Sequence, residues 1–178
     1  MAISGFQMDG FQDYCIRVAS IRDATVVYEV LMDNARWLAS KGIKQWPVSW
    51  LEAIRPDIDE AISFGRFYIV EKLEQPVAVF ELKTEPEAVW NYDEAHYVYI
   101  HKIAVMRRYA GLKIGASIIH SIQNMARRIG FLGVRLDCVE ENRILRDYYK
   151  RLGFESMGTH KSSLIDLALY QLSFHSVQ

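Results

Sequence analysis

The sequence predicts an α+β fold, a mixed and mostly antiparallel sheet of about six to seven strands flanked by about four helices. Three observations carry that expectation. Short alternating runs rich in β-formers occur in both halves of the chain. Capped amphipathic runs interrupt them in the order β-α-α-β-β-β-α-β-α-β-β. One of these helices crosses over between two strand runs, 96–105 and 133–139, which makes that pair parallel.

Tyr14 to Ser20 (YCIRVAS) alternates, and Asp23 is placed to cap a helical pattern from Ala24 to Ser40. Gly42 stops that helix and Trp46-Pro47 turns the chain. Ser49 to Phe64 reads as a second helix that Pro56 must break or kink, because proline lacks the N–H and crowds the preceding turn. Arg66 to Leu73 and Val77 to Lys83 alternate on either side of Glu74-Gln75-Pro76, as in an antiparallel hairpin. After a polar loop, His96 to Val105 is a long β-rich run. Beyond a basic turn, Ile114, Ile118, Ile122, Ala126 and Ile129 mark one face of a helix. Gly133 to Val139 is strand-like, Asn142 caps a helix from Arg143 to Leu152, and Gly153 ends it. Phe154 to His160 and Leu164 to Phe174 are the last two strands, the second of which either finishes the sheet or pairs with a second copy in a homodimer.

A chain of 178 residues, 51% of them hydrophobic, buries a core of its own, so a single domain spanning 1–178 is expected. With 21 Lys+Arg against 22 Asp+Glu it lacks the basic footprint of a general nucleic-acid binder. Cys15 and Cys138 stand outside any CxxC or CxxH cluster, so neither a metal site nor a redox motif is expected, and both read as reduced and buried. The first residues form no secretory signal and no apolar run is long enough to span a bilayer, which points to a soluble, cytoplasmic protein without a membrane partner.

The chemistry concentrates in MRRYAGLKIGASIIHSI, where a strand end, a basic Gly-containing turn and a helix start meet. Backbone N–H groups and the helix dipole make such a junction an anion site that suits a pyrophosphate. Neither the Walker pattern GxxxxGK[ST] nor the Rossmann pattern GxGxxG is present. The segment resembles motif A of the GNAT superfamily of N-acetyltransferases, Q/R-x-x-G-x-G/A, with Arg108, Tyr109, Ala110, Gly111, Leu112 and Lys113 in those places. Lys113 stands where the family has a small residue. Its side chain either points outward as a solvated lysine or meets phosphate. A second family element follows: Asn142, Tyr149, Gly153 and Phe154 match N-x(6)-Y-x-x-x-G-F. The strong resemblance runs from Tyr97 to Phe154.

The resemblance implies a GNAT-like sheet whose two central parallel strands splay apart, helped by a bulge in the first, with acetyl-CoA as co-substrate. It implies that the backbone of Ile103, Ala104 and Val105 pairs with the pantetheine arm. The N–H groups from Arg108 through Tyr109, Ala110, Gly111, Leu112, Lys113 and Ile114 to Gly115, with Ala116 beyond, would cradle the pyrophosphate, and Asn142 and Tyr149 would complete the cofactor set. Tyr149 matches the family position of the acid that protonates the departing thiolate, while its neighbour Tyr148, about 100° away on the helix, is read as packed.

An alkylammonium with a pKa near ~10 must lose a proton before it attacks a thioester. Some family members place a Glu for this on the strand before motif A, but Tyr99 occupies the comparable position here. His101 lies two residues on, on the same face of a regular strand, and is the leading candidate base. Glu81 and Glu94 stand behind it, and a water relay needs no dedicated base. On the acceptor side Trp37 reads as a fastener of its helix and Trp46, beside Pro47, as wall, with Trp50 nearby. The loop Glu85–Glu94 sets four carboxylates around two aromatics and suits a cationic amine. The expected activity is acetyl transfer from acetyl-CoA to a primary amine, a small molecule ahead of a peptide. The alternatives are a protein N-acetyltransferase and a non-catalytic acyl-CoA-binding or regulatory module.

Overall fold

The computed structural model describes residues 3–91 and 96–174. Its strands are β1 (Phe6–Gln7), β2 (Tyr14–Val18), β3 (Phe67–Lys72), β4 (Gln75–Lys83), β5 (Tyr97–Val105), β6 (Gly133–Val139), β7 (Glu155–His160) and β8 (Leu167–Ser173). The helices are α1 (Ala24–Ser40), α2 (Val48–Ala53), α3 (Arg55–Ser63), α4 (Ile114–Arg128) and α5 (Arg143–Arg151). The eight strands run in the order β1-β2-β3-β4-β5-β6-β8-β7, and β5–β6 is the parallel pair. The expected α+β class with a mostly antiparallel sheet is therefore observed, with one strand more than expected. That strand, β1, is two residues long, too short to leave a periodic signature.

Two compact units compose the chain. Of the described residues, the first holds those up to Leu82 together with Lys102–Ile122, and the second holds those of Lys83–His101 and those from Gln123 onward. In the first unit, Val27, Val30, Leu31 and Ala35 line one face of α1 at helical spacing and pack with Leu51, Ile58, Ile62, Phe67, Ile69, Val79 and Ala104. Pro56 acts as expected: the helix breaks at Ile54, and the proline sits in the first turn of α3, where its missing N–H costs nothing. The β3–β4 turn differs from the expected Glu74-Gln75-Pro76. It is the two-residue loop Leu73-Glu74, both with positive φ (48° and 63°), which matches the strand twist in a tight hairpin. Gln75 and Pro76 already belong to β4, and the proline is accommodated by a register shift opposite Val70 and Glu71.

In the second unit, β6 pairs with β5 from Tyr97↔Gly133 to Ile100↔Leu136, and the ladder ends there. β8 lies between β6 and β7, bonded to both, so this strand finishes the sheet and has no edge left for a second copy. It starts at Leu167 and not at Leu164, which is 94% exposed in a turn held by Ser162. Gly133 is required where it stands: a Cβ there would lie 2.2 Å from the Leu172 carbonyl oxygen. Both cysteines are free, but only Cys138 is buried. Cys15 is on the outward face of β2 and exposed, which corrects the expectation for it. No helix among the described residues is long and apolar enough to cross a membrane.

Candidate active site

In the first unit the end of β5 leads into the basic turn. Met106 N–H donates to Val77 O at 2.8 Å, and Tyr109 N–H donates back to Met106 O at 2.8 Å, closing a short 3-10 turn over Arg107–Tyr109. Gly111 then takes φ 83° with open space where a side chain would stand, and Lys113 takes φ 60° immediately before α4. The small residue of motif A thus sits at a left-handed backbone position that glycine adopts freely and lysine does not. Lys113, Leu112, Gly111, Ala110 and Arg108 are exposed, Tyr109, Gly115 and Ala116 are half-buried, and Ile114 is buried. The first N–H groups of a helix lack partners within it and carry its positive pole. With Arg108 and Lys113 alongside, this exposed turn has the donor set and the sign of charge that a pyrophosphate requires. The Arg108 guanidinium reaches Pro76 O at 3.3 Å, and that of Arg107 stacks on Trp37 of α1 at 3.7 Å.

Just upstream, Lys102 adopts φ 51° inside β5, a left-handed backbone position within a strand. Its ammonium lies 2.6 Å from Glu81, a carboxylate only 2% exposed, and Arg66 stands 3.8 Å from the same group. Both cations engage the Glu81 carboxylate. Ile103 is half-buried and Ala104 buried. Val105 O already accepts Asn34 Nδ2 at 3.1 Å. Asn34, on α1, is missed by sequence reasoning, although a polar residue among helical core positions is a cue. Trp46 packs at the rim of this unit's core, while Trp50 is 41% exposed.

In the second unit the alternation of β5 holds through His101, because the left-handed residue comes after it. Tyr99, where some relatives carry Glu, is buried, and its hydroxyl accepts Arg135 Nη1 at 3.3 Å. Arg135 lies 3.8 Å from the Tyr97 ring and 4.6 Å from Trp90, so this position is structural. His101 is half-buried between two carboxylates, with Nε2 3.0 Å from Glu87 and Nδ1 3.9 Å from Asp137. Glu87 also meets Lys83 at 3.1 Å. Burial pushes the Glu87 carboxyl up, but the His101 hydrogen bond and the charges of His101 and Lys83 outweigh it and bring it down to about 2. Glu94 lies outside the described residues.

Asn142 caps α5, its Oδ1 accepting Leu145 N–H at 3.2 Å. Tyr149 is the buried tyrosine of that helix, and Tyr148 is only half-buried, the reverse of the expected emphasis. The Tyr149 ring lies 6.0 Å from Phe154 and 5.8 Å from Tyr170. Burial first, then the neighbouring Cys138, Asp137 and Tyr148, raise its phenol well above the ordinary range, so it stays protonated at neutral pH. Burial and Asp137 likewise push the Cys138 thiol up to about 12, so this cysteine is inert.

A sequence model of the acetyltransferase (GNAT) family matches residues 29–154. The chain belongs to the GNAT acetyltransferase family. As a GNAT protein it is an acyltransferase with acetyl-CoA as co-substrate. The uncharacterized N-acetyltransferase YesJ of Bacillus subtilis is 31% identical over 150 residues, covering 81% of this chain and 83% of the relative. A GNAT-family acetyltransferase from Listeria monocytogenes has the same fold, with a TM-score of 0.77, 22% identity, and coverage of 96% of this chain and 100% of the other. The PaiA N-acetyltransferase of Thermoplasma acidophilum, solved with coenzyme A, gives a TM-score of 0.69 at 17% identity over 90% of this chain and 99% of the other.

Proposed function

We propose that residues 1–178 act as one cytoplasmic N-acetyltransferase domain that moves the acetyl group of acetyl-CoA onto a primary amine of a small molecule by direct attack. Acetyl-CoA supplies the thioester carbonyl that the amine attacks. The chain's own residues bind it and manage protons. The turn from Arg108 to Ala116 holds the pyrophosphate, and the backbone at Ile103 and Ala104 pairs with the pantetheine arm.

The observation that carries this reading is the place of Tyr149, the buried phenol of the N-x(6)-Y-x-x-x-G-F element, beside Phe154 and Tyr170. A protonated phenol can donate to the departing thiolate when the two come within hydrogen-bond reach. His101 accepts the proton of the incoming ammonium. Glu87 orients its ring through Nε2, in the way a carboxylate orients a catalytic imidazole, and leaves Nδ1 on the Asp137 side. Two carboxylates within 4 Å of the imidazole also favour a cationic acceptor over a neutral one.

The test is thiol release from acetyl-CoA by the purified protein over polyamines, aminoglycosides, amino acids and short peptides. Turnover confined to small amines supports the reading, and turnover confined to peptides moves the acceptor to a protein N-terminus. CoA binding with no turnover on any amine would make the chain a binding module.

A further inference from the structure

Lysine has no intrinsic reason to adopt φ 51° in the interior of a strand, since its Cβ meets the carbonyl oxygen there. Something outside the backbone must hold Lys102 in that state, and its own unit supplies a clamp. Glu81, on the neighbouring face of β4, is 2% exposed and lies 2.6 Å from the Lys102 ammonium. Arg66, from just before β3, adds a second cation at 3.8 Å, so the buried carboxylate is balanced. At the other end of the segment, Asn34 donates to Val105 O at 3.1 Å and to Val30 O at 2.9 Å, tying that carbonyl to α1. The three residues that follow the kink are therefore set in direction by two side chains remote in sequence.

We infer that Glu81 is a positioning residue for acetyl-CoA. Its ion pair with Lys102 pins the left-handed backbone at 102 and thereby fixes which way the N–H and C=O groups of Ile103 and Ala104 face. This inference rests on the proposed pairing of those groups with the pantetheine arm. Because a left-handed residue breaks the two-residue alternation of a strand, releasing it turns every later group of β5 toward a different side. Asn34 limits that release at Val105, so the groups most affected are the two between the clamps. Glu81 touches no reacting atom in this scheme and acts only through the backbone of β5.

Two double variants separate positioning from mere support of the fold. Glu81→Gln with Lys102→Met removes both charges of the pair, and because Arg66 loses the same carboxylate in both double variants its contribution cancels between them. Glu81→Gln with Lys102→Gly removes the same pair but installs a residue that accepts positive φ unaided. Each is titrated calorimetrically with coenzyme A beside the wild type, and thermal denaturation reports folding. The methionine variant is expected to bind about tenfold more weakly, the scale set by the left-handed preference of glycine over other residues. The glycine variant is expected to stay within about threefold of the wild type by the same scale. Equal affinity in all three proteins overturns the inference, and so does a glycine variant that binds as weakly as the methionine one or fails to fold. A wild-type protein that binds no coenzyme A overturns the acetyl-CoA reading beneath it, an outcome distinct from either.

Discussion

Glu87 has the most informative environment of any single residue here, because its carboxylate is held by His101 and Lys83 and stays ionised down to about pH 2 in the folded chain. Its ordinary value is 4.5, so the folded value is depressed. The stability it contributes is then fully present above pH 4.5 and is lost as pH falls from there through about 2. Urea denaturation at a series of acid pH values is expected to show a stability advantage of wild type over Glu87→Gln that shrinks across that window. A pH-independent gap contradicts the assignment. None of this was legible in the sequence, which shows Glu87 as one of several carboxylates in a polar loop. Its partner is 14 residues away, and only the folded β5 brings them together. Tyr149 was legible because its neighbours at fixed spacing form a signature, and Lys113 because it breaks one. Asn34 was not, since its partner Val105 is 71 residues distant.

At the scale of elements, local signals worked where the local chain decides the outcome. The Pro56 break and the Asn142 cap depend on one residue's own chemistry and are where they were expected. The β3–β4 turn was misplaced by two residues because Pro76 reads as a loop residue, yet a register shift lets it sit within β4. The left-handed position at Lys102 had no local mark, since a lysine gives no hint of such a backbone. Gly133 gives this scale its prediction. At the start of β6 an added methyl would meet Leu172 O at 2.2 Å and Ser173 Cα at 3.0 Å, both on or within the backbone of β8 and unable to move aside. Gly133→Ala is expected to cost about 1–3 kcal/mol of stability, read from the urea midpoint. An unchanged midpoint contradicts the close β6–β8 approach.

For the whole molecule, composition and element order were sufficient for the fold class, because alternating and helical periods report which face of each segment is buried. They were not sufficient for strand order. That β8 inserts between β6 and β7 is a matter of long-range pairing, and the same sequence run fits an edge strand equally well. The function was legible to the level of the GNAT acetyltransferase family through two motifs. The acceptor was not, because neither motif carries a residue that selects an amine. The central claim is that this enzyme hands a proton from Tyr149 to the leaving thiolate, and its most direct test is Tyr149→Phe. The substitution keeps the ring among Phe154 and Tyr170 and removes only the hydroxyl. With the best amine of the panel, kcat for thiol release is predicted to fall about 10²-fold or more while coenzyme A binding, read calorimetrically, persists. An undiminished kcat in the phenylalanine variant would contradict the account.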